Sequence, residues 1–114
     1  MLNYDGRLFR PVADAPGTES RIAHYRQRGD LLWGDFTGGR ARRGALTGTC
    51  ADDGTLRFAY SMVLDTGDVI SGRCVSTPEV LSDGRIRLHE RWERYGVHAS
   101  RGESTIEEIP KEST

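Results

Sequence analysis

Turn signals recur at short intervals along this chain, and no other feature constrains its fold so tightly. They are Asp5-Gly6, Gly29-Asp30, Gly38-Gly39, Asp53-Gly54, Thr66-Gly67, Asp83-Gly84 and the stretch from Gly96 to Gly102. Asp-Gly and Gly-Gly steps favour the tight turns of β-hairpins, because those turns need positive φ. Between the turns the residues alternate. Leu56, Phe58, Tyr60 and Met62 interleave with Arg57, Ala59, Ser61 and Val63. Ile86, Leu88, Glu90 and Trp92 interleave with Arg87, His89, Arg91 and Glu93. A period of two is that of a strand with one face inward, and the first set of each pair is the inward one.

Eight strands follow from this pattern, at about 7–12, 19–28, 30–37, 42–51, 55–64, 68–76, 85–95 and 102–109. The segment 78–83, Pro78-Glu79-Val80-Leu81-Ser82-Asp83, is where a helical turn is expected. Short links make consecutive strands neighbours. The predicted fold is all-β: one eight-stranded, up-and-down antiparallel barrel, calycin-like, closed so that no edge is left open. An open sandwich is the alternative. The barrel domain is expected over 1–110, with a polar, flexible tail at 111–114. Gly44, Leu46, Gly48 and Cys50 share one face of the fourth strand. Glycine at alternate positions marks curvature or close backbone approach, so that bulky partners fit across a narrow lumen. Cys50 and Cys74 fall on the fourth and sixth strands. With neighbouring strands about 4.8 Å apart and a whole strand between them, no disulfide is expected. Gly48-Thr49-Cys50 before Asp53-Gly54 echoes Gly72-Arg73-Cys74 before Asp83-Gly84. A duplicated hairpin and turn chemistry used twice both explain that echo.

Composition narrows the function classes. Hydrophobic residues make up 36% of 114 residues and there are 14 glycines, a lean balance that suits short strands better than a helical bundle. The net charge of −1 argues against nucleic acid as a partner. Fifteen arginines stand against one lysine, Lys111, which reads as coding bias or as guanidinium forks holding carboxylates or phosphates. No run of about 18 apolar residues is present, so no membrane partner is expected. Met1 to Gly6 lacks the charged-then-apolar pattern of a signal peptide. A cytoplasmic location with free thiols is therefore expected. Three histidines and two separated cysteines offer no metal-site spacing, and no cofactor is expected. Phosphate loops, nucleophile elbows and zinc-protease motifs are missing from the sequence.

The candidate site residues are polar or aromatic groups on inward registers. Glu90 lies between Leu88 and Trp92, and Tyr60 between Phe58 and Met62. Ser104 and Glu108 share a face with Ile106. Tyr25 and Trp33 are further wall residues, and Cys74 lies on the face of Gly72 with no histidine partner in sight. Glu90 reads as a buried carboxyl of raised pKa that anchors a ligand or moves a proton. It reads also as the partner of Arg73 or Arg94, or as a surface residue if the register slips by one. Trp33 and Trp92 are either a stacking platform or plain core. Arg85, Arg87, His89 and Arg91 form a basic stripe on the outer face, read as solvated.

The chain also resembles a family of short bacterial proteins often labelled N-acetylglutamate synthase. The shared stretches are Asn3 to Arg7 with Phe9-Arg10-Pro11, Leu32-Trp33 with Gly38-Gly39, Gly72 through Trp92, and Gly102-Glu103-Ser104 with Glu107-Glu108-Ile109. The label implies an acetyl-CoA site, in which a glycine-containing turn opens a helix onto the pyrophosphate. The nearest segment here, Arg26-Gln27-Arg28-Gly29, carries Leu31 where a small residue is needed and leads into a strand. The resemblance thus implies a small barrel of the lipocalin or avidin type and no activity. Three functions suit such a barrel. The first is binding of a small apolar or aromatic molecule between Trp33, Tyr60 and Trp92, with Glu90 as polar anchor. The second is a cofactor-free cyclase or isomerase in the same pocket, with Glu90 as general acid or base. The third is a filled barrel acting as a homodimer or interaction scaffold.

Overall fold

The computed structural model describes residues 2–12 and 21–110. It is a closed antiparallel barrel with strands in chain order. The strands are β1 (Leu8–Pro11), β2 (Ile22–Arg28), β3 (Leu31–Gly38), β4 (Ala41–Cys50), β5 (Leu56–Leu64), β6 (Val69–Val80), β7 (Ile86–Arg94) and β8 (Ser100–Glu108). The first two positions expected of β2, 19 and 20, and the tail at 111–114 lie outside the described residues. β1 closes the barrel against β8 through the pairs Phe9↔Glu108, Arg10↔Glu107 and Pro11↔Ile106. Among the described residues no helix is long and apolar enough to cross a membrane.

Two local expectations are corrected. The stretch 78–83 forms no helical turn; β6 runs on to Val80, and the turn lies at Leu81–Gly84, where Gly84 N–H bonds Leu81 O at 2.9 Å. Pro78 sits past Ser76, the last β6 residue paired to β5. One side of the strand has no partner there, so a residue without an N–H is tolerated. The link from β7 to β8 contains a short 3₁₀ turn, Gly96–His98, and β8 begins two residues earlier than expected.

The inward registers hold. Leu56, Phe58 and Met62 are buried, as are Ile86 and Leu88, while Arg57 and His89 face out. Cys50 and Cys74 are both buried and free. One end of the barrel is plugged by the segment before β1. Tyr4 is fully buried there, packs on Phe9 and Tyr25 at ring-centroid distances of 6.3 Å each, and donates its hydroxyl to Gly54 O at 2.7 Å. Arg7 ties the same end together by donating 2.7 and 2.8 Å bonds to the Glu108 carboxylate. At the other end Ala41, Met62, Leu64 and Ile70 form a second cluster over β4 to β6. The cavity between these ends is bordered by β1, β2, β7 and β8 among other strands.

Three residues of the outer basic stripe, Arg85, Arg87 and His89, meet carboxylates. Arg87 stands in register between Glu79 and Glu107 and pairs with both, at 3.8 and 3.4 Å. His89 reaches Glu79 at 2.9 Å, and Arg85 reaches Asp83 at 2.7 Å. Exposed pairs of this kind each contribute about 0–1 kcal/mol.

Candidate functional site

Five aromatic side chains enter the lumen opposite glycines on neighbouring strands. The pairs in register are Tyr25↔Gly34, Phe36↔Gly44, Phe58↔Gly48, Tyr60↔Gly72 and Trp92↔Gly102. A Cβ at Gly72 would stand 2.7 Å from the Tyr60 ring, and one at Gly102 would stand 2.6 Å from Trp92. Gly44, Gly72 and Gly102 let the Phe36, Tyr60 and Trp92 rings lie against the neighbouring backbone, and at Gly34 and Gly48 the partner strand's own backbone comes close. The rings therefore line the wall instead of filling the centre, and a cavity of about 450 Å³ remains. Cavities of a few hundred Å³ hold one small molecule.

Glu90 projects into this cavity from the middle of β7. It stands in register between Ser76 on β6 and Ser104 on β8, two short side chains that leave it room. Ser104 Oγ donates to Glu90 Oε1 at 3.0 Å, and Cys74 Sγ approaches Oε2 at 3.8 Å. Protein packs around the carboxyl, and the exposure it keeps is toward the cavity. Burial raises its pKa, which the Ser104, Cys74 and Ser76 hydrogen bonds and the charge of Arg21 offset in part. The Cys74 thiol is pushed up to about 12, first by burial and then by Glu90. That thiol is a poor nucleophile. Burial also raises the Tyr25 and Tyr60 phenols.

Of the residues expected at the site, Tyr25, Tyr60, Cys74, Glu90, Trp92 and Ser104 line the one cavity. Trp33 and Glu108 do not. Leu32 is the buried residue of that part of β3, so Trp33, one position on, faces out under the Arg26 guanidinium 5.9 Å from its ring. Glu108 is inward but sits at the plugged end, where it holds Arg7 and accepts the Ile86 N–H at 3.1 Å. Neither alternative for Glu90 is found. Arg73 lies outside and bonds Glu93 at 3.1 Å, and no ion pair joins Glu90 to Arg94.

Sequence reasoning missed Arg21 and weighed Arg94 only as an ion-pair partner for Glu90. Arg21 and Arg94 both line the cavity. Arg94 continues the inward register of Glu90 and Trp92, and Arg21 continues that of Ala23 and Tyr25, so strand parity alone marks them. Arg94 stands over the Trp92 ring at 5.2 Å, and it partly offsets the rise that burial gives the Tyr60 phenol. Burial, then the nearby charge of Arg94, lowers the pKa of Arg21.

No curated protein matches the chain. The family model described as avidin-like protein matches residues 2–109. That span includes all eight strands and every residue of the cavity wall, and the chain belongs to the avidin-like protein family.

Proposed function

We propose that the barrel is a small-molecule binding protein whose lumen takes a compact, largely apolar or aromatic ligand. The observation that carries this reading is the cavity of about 450 Å³, kept open by rings that lie against glycines and furnished with one inward carboxyl. Phe36, Phe58, Tyr60, Met62 and Trp92 supply the apolar wall. Burying a ring-sized ligand against such a wall contributes about 25 cal/mol per Å² of apolar surface removed from water. Glu90, set by Ser104, is the polar anchor that fixes orientation. A location in the cytoplasm is part of the same reading.

The test is a fluorescence titration with N-phenyl-1-naphthylamine, a neutral aromatic probe that brightens in apolar surroundings. Saturable binding at one site per chain is expected. It should be lost in Leu46→Trp, which puts an indole into the lumen, once circular dichroism shows that this variant is folded. A protein that does not take up the probe would overturn the reading, as would one whose binding is unchanged in a folded Leu46→Trp.

A second reading has one observation in its favour. A carboxyl whose pKa is raised by burial, aimed into a cavity and set by a hydroxyl, has the form of a general acid. A cofactor-free isomerisation or cyclisation would use it. Glu90→Gln would then abolish turnover while leaving binding of the substrate within a few-fold.

A further inference from the structure

Three arginines point inward in this barrel, and they are treated differently. Arg7, at the plugged end, is answered by Glu108 through two hydrogen bonds. Arg21 and Arg94, at the open end, form no ion pair with any carboxylate of the described residues. The Nε atoms of both are buried without a hydrogen-bond partner. A guanidinium has five donors and no acceptor, and a buried donor left unmet is costly. The Trp92 face occupies one side of Arg94 and leaves its Nε unmet.

The charges around the pair do not balance it. Glu90 is the carboxyl within the cavity; ionised it offsets at most one of the two guanidiniums, and its burial favours the neutral form. At the rim Arg10 and Glu103, one of each sign, line the same cavity and offset one another. The excess positive charge inside is therefore that of Arg21 and Arg94. Two like charges held close in a half-dry site repel, and a bound anion would relieve the repulsion. Guanidinium forks match the planar oxygens of a carboxylate and the oxygens of a sulfonate.

We propose that the lumen selects organic anions: an apolar body lies against Phe58, Tyr60 and Trp92, and one acidic group sits between Arg21 and Arg94 at the mouth. Arg94 and Glu90 are four residues apart on β7, which spans about 13 Å of strand. The ligand is thus polar at both ends, anionic at the mouth and neutral at the Glu90 end. This inference rests on the lumen being a binding site, as proposed above, and adds the chemical class of what enters it.

Two probes of nearly the same shape test it on the unaltered protein. 8-Anilinonaphthalene-1-sulfonate carries a sulfonate that N-phenyl-1-naphthylamine lacks. Both should bind in the lumen, the sulfonate at least about tenfold more tightly. Arg21→Gln and Arg94→Gln should each remove most of that advantage, read as the ratio of the two probes' affinities within the same variant. If both probes bind equally, or the neutral one binds better, selection of anions is wrong while the binding lumen stands. If neither binds, both readings fall together. Since the comparison of probes uses the native chain, a variant that fails to fold does not spoil it.

Discussion

Trp92 lies over Gly102, its partner in register on the adjacent strand, so closely that a Cβ there would stand 2.6 Å from the indole. Trp92 also borders the cavity. The glycine thereby sets how much of the lumen stays open, and the width of the site is written into β8 although Trp92 belongs to β7.

Gly102→Ala should therefore act on stability and site together. Forcing a methyl against a rigid ring in a packed wall costs about 1–3 kcal/mol. The variant should melt lower, and its tryptophan emission should shift as Trp92 is displaced. Uptake of the neutral aromatic probe should weaken in the same variant. An unchanged melt and unchanged emission would mean that the wall has slack at this point.

Much of this was legible in the chain, for identifiable reasons. Period two with turn residues between runs specifies strands whatever the tertiary context, so the barrel and the inward faces of β5 and β7 followed from Leu56 to Met62 and from Ile86 to Trp92. The alternate glycines of β4 foretold the close approach of Phe36 and Phe58. Trp33 misled because β3 places aromatics on both parities, and hydrophobicity alone does not say whether Trp33 or Leu32 turns inward. Glu108 had the right parity, but depth along the barrel depends on the stagger of β1 against β8, which no local pattern records. Arg21 was passed over because charge is normally read as solvated, and Arg94 was weighed only as an ion-pair partner for Glu90. Their inward parity was present in the same alternation that revealed Glu90.

The two cysteines should be silent toward thiol reagents in the folded protein. Both are buried, and burial raises the pKa of each, that of Cys74 to about 12. At pH 8 the thiolate fraction of Cys74 is then negligible. Ellman's reagent should release no prompt colour from native protein and two equivalents after denaturation. One fast equivalent under native conditions would show that a thiol is held as the thiolate, and would bring Cys74 back as a nucleophile.

The Arg7–Glu108 pair should be structural and act at the seam of the barrel. Glu108 is nearly buried and accepts from Arg7 and from the Ile86 N–H, while Arg7 keeps some contact with solvent. Glu108→Ala strands a half-buried guanidinium and a backbone donor, a loss of about 2–3 kcal/mol after allowing for that solvent contact. Arg7→Ala should cost less, because a lone carboxyl can take up a proton. Paired melts of the two variants and the double variant would measure the coupling. Simple additivity would show that the pair contributes nothing to closure. Probe affinity should be unchanged in any variant that folds, since the pair lies at the end away from the mouth.

Glu90 sets the pH dependence most open to test. Its folded pKa lies above the ordinary glutamate range because burial disfavours the charged form. Between the unfolded and folded values the folded state holds more protons than the unfolded chain, so stability falls as pH rises through that window and is level above it. Glu90→Gln removes the ionisation. The stability of the variant relative to the native chain should therefore be at its lowest below the ordinary glutamate range, climb across the window and hold steady at neutral pH. Asp5, Asp53 and Asp83, whose pKa values are lowered by hydrogen bonds and neighbouring arginines, slope the other way in both proteins and cancel in the difference. Melting temperatures of the two proteins from pH 4 to pH 8 measure that difference directly. A constant offset would mean that Glu90 has its ordinary pKa. A gap in favour of the native chain that widens with pH would mean that the Arg21 charge outweighs burial, and that Glu90 is ionised beside the pair that is meant to receive an anion.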